Sequence, residues 1–167
     1  MATPDFVLEL RKHVGHKLLW LPGCTAVVTR SHPKTHAGEN EGKREVLVVQ
    51  RADSGQWTPV TGIVDPEEEP AAAAIREVWE EAAVKARPVR LLSVEVVGPV
   101  VYPNGDKSSY VDTAFHLEWE EGEPWPADGE NVQALFVPED ELPEMNERFT
   151  RTIARALSQE KGAAFRY

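Results

Sequence analysis

The sequence predicts an α/β domain of the α+β kind, with a mixed β-sheet sandwiched between α-helices. Three observations carry that expectation. Apolar residues recur at helical spacing near both ends and in an alanine-rich central segment, β-branched runs fill the intervals, and the order helix, strands, helix, strands, helix buries a sheet between helical layers. The 167 residues suit a single domain over 1–167, and a hydrophobic content of 41% suffices for its core.

Phe6, Val7, Leu10, Val14 and Leu18 mark an amphipathic N-terminal helix over 4–18, which Leu21-Pro22-Gly23 closes. Cys24 to Arg30 and Glu45 to Arg51 read as strands that pair as a hairpin across the polar loop 31–44, the second buried on both faces. His32 and His36 in that loop have a metal-like spacing, but Pro33 and Gly38 oppose the helix that would bring the imidazoles together. Val89 to Val101 is a strand broken at Gly98-Pro99, and Asn104-Gly105 suits a tight turn. In the next strand Val111, Thr113, Phe115, Leu117 and Trp119 alternate with Asp112, His116 and Glu118, so one sheet face is expected to be wetter than its reverse. An acidic loop, 120–130, precedes a last strand over 132–137, and Phe149, Ile153, Ala156 and Leu157 stripe a C-terminal helix over about 145–160.

Composition narrows the function. A net charge of −10 argues against a nucleic-acid polymer or an anionic membrane surface as partner, because either requires a basic face. No apolar run approaches the ~20 residues of a membrane span, and the acidic start MATPDFVLEL does not read as a signal peptide, so a cytoplasmic location is expected. The single cysteine, Cys24, excludes an intrachain disulfide and reads as a core strand residue.

The stretch Gly62 to Val84, GIVDPEEEPAAAAIREVWEEAAV, carries the chemistry. Pro70 suits the first turn of a helix. Ala71, Ala74, Ile75, Val78 and Ala82 then share an apolar arc, while Glu77, Glu80 and Glu81 centre on another about 120° away. Acids so crowded repel one another, and a hard cation such as Mg²⁺, which takes oxygen ligands and bridges phosphates, would neutralise them. Arg76 is placed to brace Glu68 in a bidentate pair.

This stretch resembles the signature of the Nudix hydrolases, G-x5-E-x7-R-E-U-x-E-E-x-G-U with U aliphatic, at Gly62, Glu68, Arg76, Glu77, Val78, Glu80, Glu81 and Val84. Ala83 stands where the family has glycine, for which a shifted helix end is expected, and Val60-Thr61 stands where many relatives have a second glycine. The resemblance implies that Glu77, Glu80, Glu81 and the Gly62 carbonyl bind Mg²⁺ or Mn²⁺, and that water attacks phosphorus in a nucleoside diphosphate-linked substrate. It leaves the base open between Glu77, Glu80 and a loop acid, Asp128 or Glu130. Arg51, Trp57 and Tyr102, with Trp125, are candidates to meet the substrate, which is ADP-ribose-like or a (d)NTP. The N-terminal pattern and Tyr102-Pro-Asn-Gly-Asp106 look like bacterial Nudix proteins grouped with ADP-ribose pyrophosphatases, and the family suggests a homodimer. The alternatives are a non-catalytic nucleotide-binding module with a regulatory role and, through Cys24, isopentenyl-diphosphate isomerase chemistry.

Overall fold

Strand β1 (Leu18–Ser31) is the spine of the sheet, because at 14 residues it is long enough to take three partners. The computed structural model describes residues 3–31 and 43–165; His32, His36 and most of their loop lie outside them. Along one edge β1 pairs antiparallel first with β4 (Val60–Ile63) and then with β2 (Arg44–Arg51), which gives the expected hairpin pairing. Along the other it runs parallel to β6 (Lys107–Glu121) over twelve residue pairs. β5 (Lys85–Val101) continues the sheet antiparallel to β6, β3 (Trp57–Thr58) and β7 (Asn131–Pro138) flank β2, and a short β8 (Ala164–Phe165), not expected from the sequence, runs parallel to β5.

Two expectations about the first forty residues are corrected. The N-terminal helix α1 spans only Asp5–Val14, because Gly15 turns the chain at φ 59°, and Leu18 already belongs to β1. Leu21-Pro22-Gly23 lies within the strand. Proline offers no N–H to a ladder, but antiparallel pairing with β4 begins one residue later, and the Pro22 carbonyl accepts from Val64 N at 3.2 Å. Similarly, β5 continues past Gly98-Pro99 by shifting register between Val97 and Val100.

Helix α2 (Pro70–Ala82) covers one face of the sheet and α3 (Glu147–Leu157) part of the other. Cys24, Ala26, Val28, Leu47 and Val60 meet Ala73, Ala74, Val78 and Ala82 of α2. Val27, Val46, Val48, Leu92 and Ala114 meet Ile153 and Ala156 of α3. Fully burying a valine such as Val78 contributes roughly 1.5–3 kcal/mol, so these small interlocking layers set the position of each helix on the sheet. α3 is shorter than 145–160, its start fixed by Asn146, whose side chain accepts from Phe149 N at 3.0 Å. Both faces of β6 are covered. The expected wetter face of that strand is overturned, since α3 lies over it and leaves Asp112 only 5% exposed. α1 closes a third cluster through Val7, Leu21 and Ile63.

Candidate active site

The acids of α2 do not share one solvated arc. Successive positions i and i+4 stack on a helix, so Glu77 and Glu81 fall beside Val78 and Ala74 on the inward side, where they are 3% and 1% exposed, while the Glu80 side chain stays half exposed. Burial of a carboxylate disfavours its charge. Desolvation therefore pushes Glu77 up to about 7 against the opposing Arg76, and it raises Glu81 as well, against the hydrogen bond from Asn131.

Arg76 organises the outer half of the cluster. Its Nε and Nη2 donate to Glu68 Oε1 and Oε2 at 2.9 and 2.8 Å, forming the expected bidentate pair, Nη1 donates to Glu77 Oε1 at 3.0 Å and Glu80 Oε2 at 3.1 Å, and Nη2 also reaches the Ile63 carbonyl. Every guanidinium nitrogen is engaged. Glu68 is held well ionised by the same contact. Gly62 lies directly against Glu77, since a Cβ built on it would sit 2.2 Å from the carboxyl group. The segment before it is strand rather than loop, with Val60 in the core.

Glu81 is held differently. Asn131 Nδ2, at the start of β7, donates to its Oε2 at 3.0 Å, while Oε1 is buried without a hydrogen-bond partner, as is Asn131 Oδ1. Such groups carry a desolvation cost of about 1–3 kcal/mol each unless something polar is bound there. Among the described residues no three acidic, histidine or cysteine side chains converge into a ready-made cation cage, and Glu77 and Glu80 are joined through Arg76 instead. An all-oxygen donor set with an unpartnered buried carboxylate oxygen nonetheless fits a hard divalent cation.

Ala83 overturns the expected shift of the helix end. It adopts the left-handed conformation itself, φ 53° and ψ 33°, and donates to the Trp79 carbonyl, so α2 ends at Ala82 with Ala83 as its cap. The following loop is strapped to that end: Trp125 N donates to Ala82 O and Ala127 N to Glu81 O. Asp128, next in the loop, accepts from Glu130 N and is close enough to raise the Glu81 carboxyl through its charge, while the Glu130 carbonyl accepts from Ala52 N.

On the far side of Gly62 opens a cleft of about 710 Å³. Arg51 and Tyr102 line it, as does Gly62 itself, whereas Trp57 packs against the α3-side core and Trp125 is exposed on the loop beside the C-terminal end of α2. Sequence reasoning missed Asp112, Thr25, Tyr110, Arg148 and Asn131. The first four line or underlie the cleft: Thr25 Oγ1 donates to Asp112, Arg148 Nη1 donates to Asp112 Oδ2 at 3.0 Å, and the Tyr102 and Tyr110 hydroxyls share a hydrogen bond of 2.5 Å. Only the alternation of β6 hinted at them, by separating Asp112 from its apolar neighbours. Cys24, also against the cleft, is 1% exposed with its thiol pushed upward by burial and by Glu77, which opposes the nucleophilic role that an isomerase would need.

A mixed sheet between helices, with an acidic helix on one face and a polar cleft beside it, defines the class of domain. Residues 37–157 match the family model described as NUDIX domain, and the chain belongs to that family. Over 56 residues it is 46% identical to diphosphoinositol polyphosphate phosphohydrolase 2 of Mus musculus and to diphosphoinositol polyphosphate phosphohydrolase 3-alpha of Homo sapiens. The matches span 33% of this chain and 31% and 34% of those relatives. The fold is similar to that of an ADP-ribose pyrophosphatase from Streptococcus suis (TM-score 0.60, 20% identity, 90% and 99% of the two chains). It is also similar to the NUDIX domain of Shewanella oneidensis NrtR complexed with ADP ribose (0.59, 16%, 94% and 97%). At such identities these structures establish the fold. No helix among the described residues is long and apolar enough to cross a membrane.

Proposed function

We propose that this protein hydrolyses a diphosphate bond in a nucleoside diphosphate-linked substrate by attack of water on phosphorus, with Mg²⁺ or Mn²⁺ held by Glu77, Glu80, Glu81 and the Gly62 carbonyl. The observation that carries the reading is Glu81, a fully buried carboxylate with one oxygen bound by Asn131 and the other unpartnered, one helical turn from the equally buried Glu77. When bound, the cation supplies charge neutralisation for the diphosphate and a more acidic water. The protein groups do the rest. Arg76 and Glu68 fix the rotamers of Glu77 and Glu80, Gly62 both touches Glu77 and lines the cleft, and Asp128 or Glu130 on the strapped loop, or a signature glutamate, accepts the proton of the attacking water.

The cleft favours a nucleotide over the crowded phosphates in the names of the mammalian relatives. A polyphosphate ring calls for surplus cations, and among the described residues Arg11, Arg51 and Arg148 of the cleft each already face an aspartate. The test is a panel of nucleoside diphosphate derivatives and nucleoside triphosphates with Mg²⁺ or Mn²⁺, assayed for released phosphate after phosphatase coupling, with Glu81→Gln beside the wild type. Turnover that falls roughly a hundredfold or more in Glu81→Gln is expected. Turnover unaffected by Glu81→Gln, or none on any substrate, sinks the assignment, and binding without turnover would favour the regulatory module.

A further inference from the structure

Three arginine–aspartate pairs line the cleft, and they are not equivalent. Arg51 spends Nε and Nη2 on Asp53 at 3.0 and 2.9 Å. Arg11 faces Asp106 at 3.4 Å and gives its Nη atoms to the Gly15, Lys17 and Lys107 carbonyls and to Ser108. Arg148, in contrast, donates through Nη1 alone, to Asp112 and Thr25, while its guanidinium stacks 4.2 Å from the Phe149 ring and stays only 21% exposed. Its Nε and Nη2 meet no acceptor among the described residues. Asp112 beneath it is buried and fixed from both sides. A rigid fork with unused donors beside a carboxylate is a neutral pair, able to donate to and accept from the same ligand group.

We propose that Arg148, anchored by Asp112, is the specificity-determining residue of this cleft and reads the hydroxyls of a sugar attached to the diphosphate, selecting sugar-linked nucleoside diphosphates over nucleoside triphosphates. A sugar diol both donates and accepts, which matches the pair. A terminal phosphate carries only acceptors and about two negative charges, and here it would meet a cation already neutralised by an aspartate in a chain of net charge −10. The proposal rests on the assignment of the cleft to the substrate given above.

The experiment compares ADP-ribose with ATP in the presence of Mg²⁺. Arg148→Lys keeps a cation beside Asp112 but removes the fork. It is expected to raise KM for ADP-ribose about tenfold or more with little change in kcat, and to leave KM for ATP unmoved. Asp112→Asn is expected to shift preference toward ATP by freeing the charge of Arg148. Calorimetric binding of ADP-ribose to Glu81→Gln, with and without Arg148→Lys, gives a readout that needs no turnover. Losses of equal size for both ligands, or no loss for either, overturn the proposal, as does failure of ADP-ribose to bind. If ADP-ribose binds through Arg148 and the wild type hydrolyses neither it nor any other member of the panel, the sugar site stands and the hydrolase reading falls.

Discussion

Two arginine–carboxylate assemblies of this protein, one on the α2 side and one on the α3 side, use the same chemistry to opposite ends. Arg76 on the α2 side has every guanidinium nitrogen committed, to Glu68, Glu77, Glu80 and a backbone carbonyl, while Arg148 on the α3 side commits one. A saturated fork aims its partners. An unsaturated one awaits something else, so the degree of saturation distinguishes a scaffold from a reader where burial and charge alone do not.

The strongest way to break the α2 side is Gly62→Ala. The new Cβ would sit 2.2 Å from the carboxyl of Glu77, a residue 3% exposed, so that carboxylate would have to leave its present position. Activity is expected to fall a hundredfold or more while the fold survives with a loss of about 1–3 kcal/mol, separable by steady-state kinetics and urea unfolding. Arg76→Lys comes next. A lysine cannot span Glu68 and Glu80 together, so kcat should drop about ten- to a hundredfold with KM nearly constant, the reverse of the Arg148→Lys pattern. Matching KM effects at the two arginines would erase the distinction.

A smaller change sharpens the comparison by improving the same side. Ala83→Gly relieves a left-handed alanine and should stabilise the protein by about 1 kcal/mol, visible as a raised Tm at unchanged activity. The smallest effect is at Cys24, which lies between the assemblies and whose thiol is pushed up first by burial and then by the charges of Glu77 and Asp112. Because the folded thiol deprotonates well above its unfolded range, its alkylation should stay slow from pH 7 to 9 in the native protein and become fast only in denaturant. Rapid native labelling would show that the thiol reaches solvent in the folded protein.

The α2 assembly was legible because its members lie within 23 residues and local helical geometry places them. Even there, the inward turn of Glu77 and Glu81 was hidden, since helical periodicity places residues around the axis but does not say how far the packed face extends. The α3 assembly was illegible. Thr25, Asp112 and Arg148 come from β1, β6 and α3, and only the parallel pairing of β1 with β6 brings the first two side by side. The fold class survived errors at Pro22-Gly23 and Gly98-Pro99 because strand order depends on apolar runs, whereas strand ends depend on which partner needs an N–H at a given residue.

The strap between the acidic loop and α2 has a consequence for how the chain tolerates change. With Trp125 and Ala127 amides fastened to the last carbonyls of the helix, the segment from 125 to 127 is fixed in length, and an insertion there would unfasten the helix end that carries Glu81. Variation among descendants of this sequence is thereby steered to either side of the strap, so the reach of Asp128 and the end of the helix are inherited together.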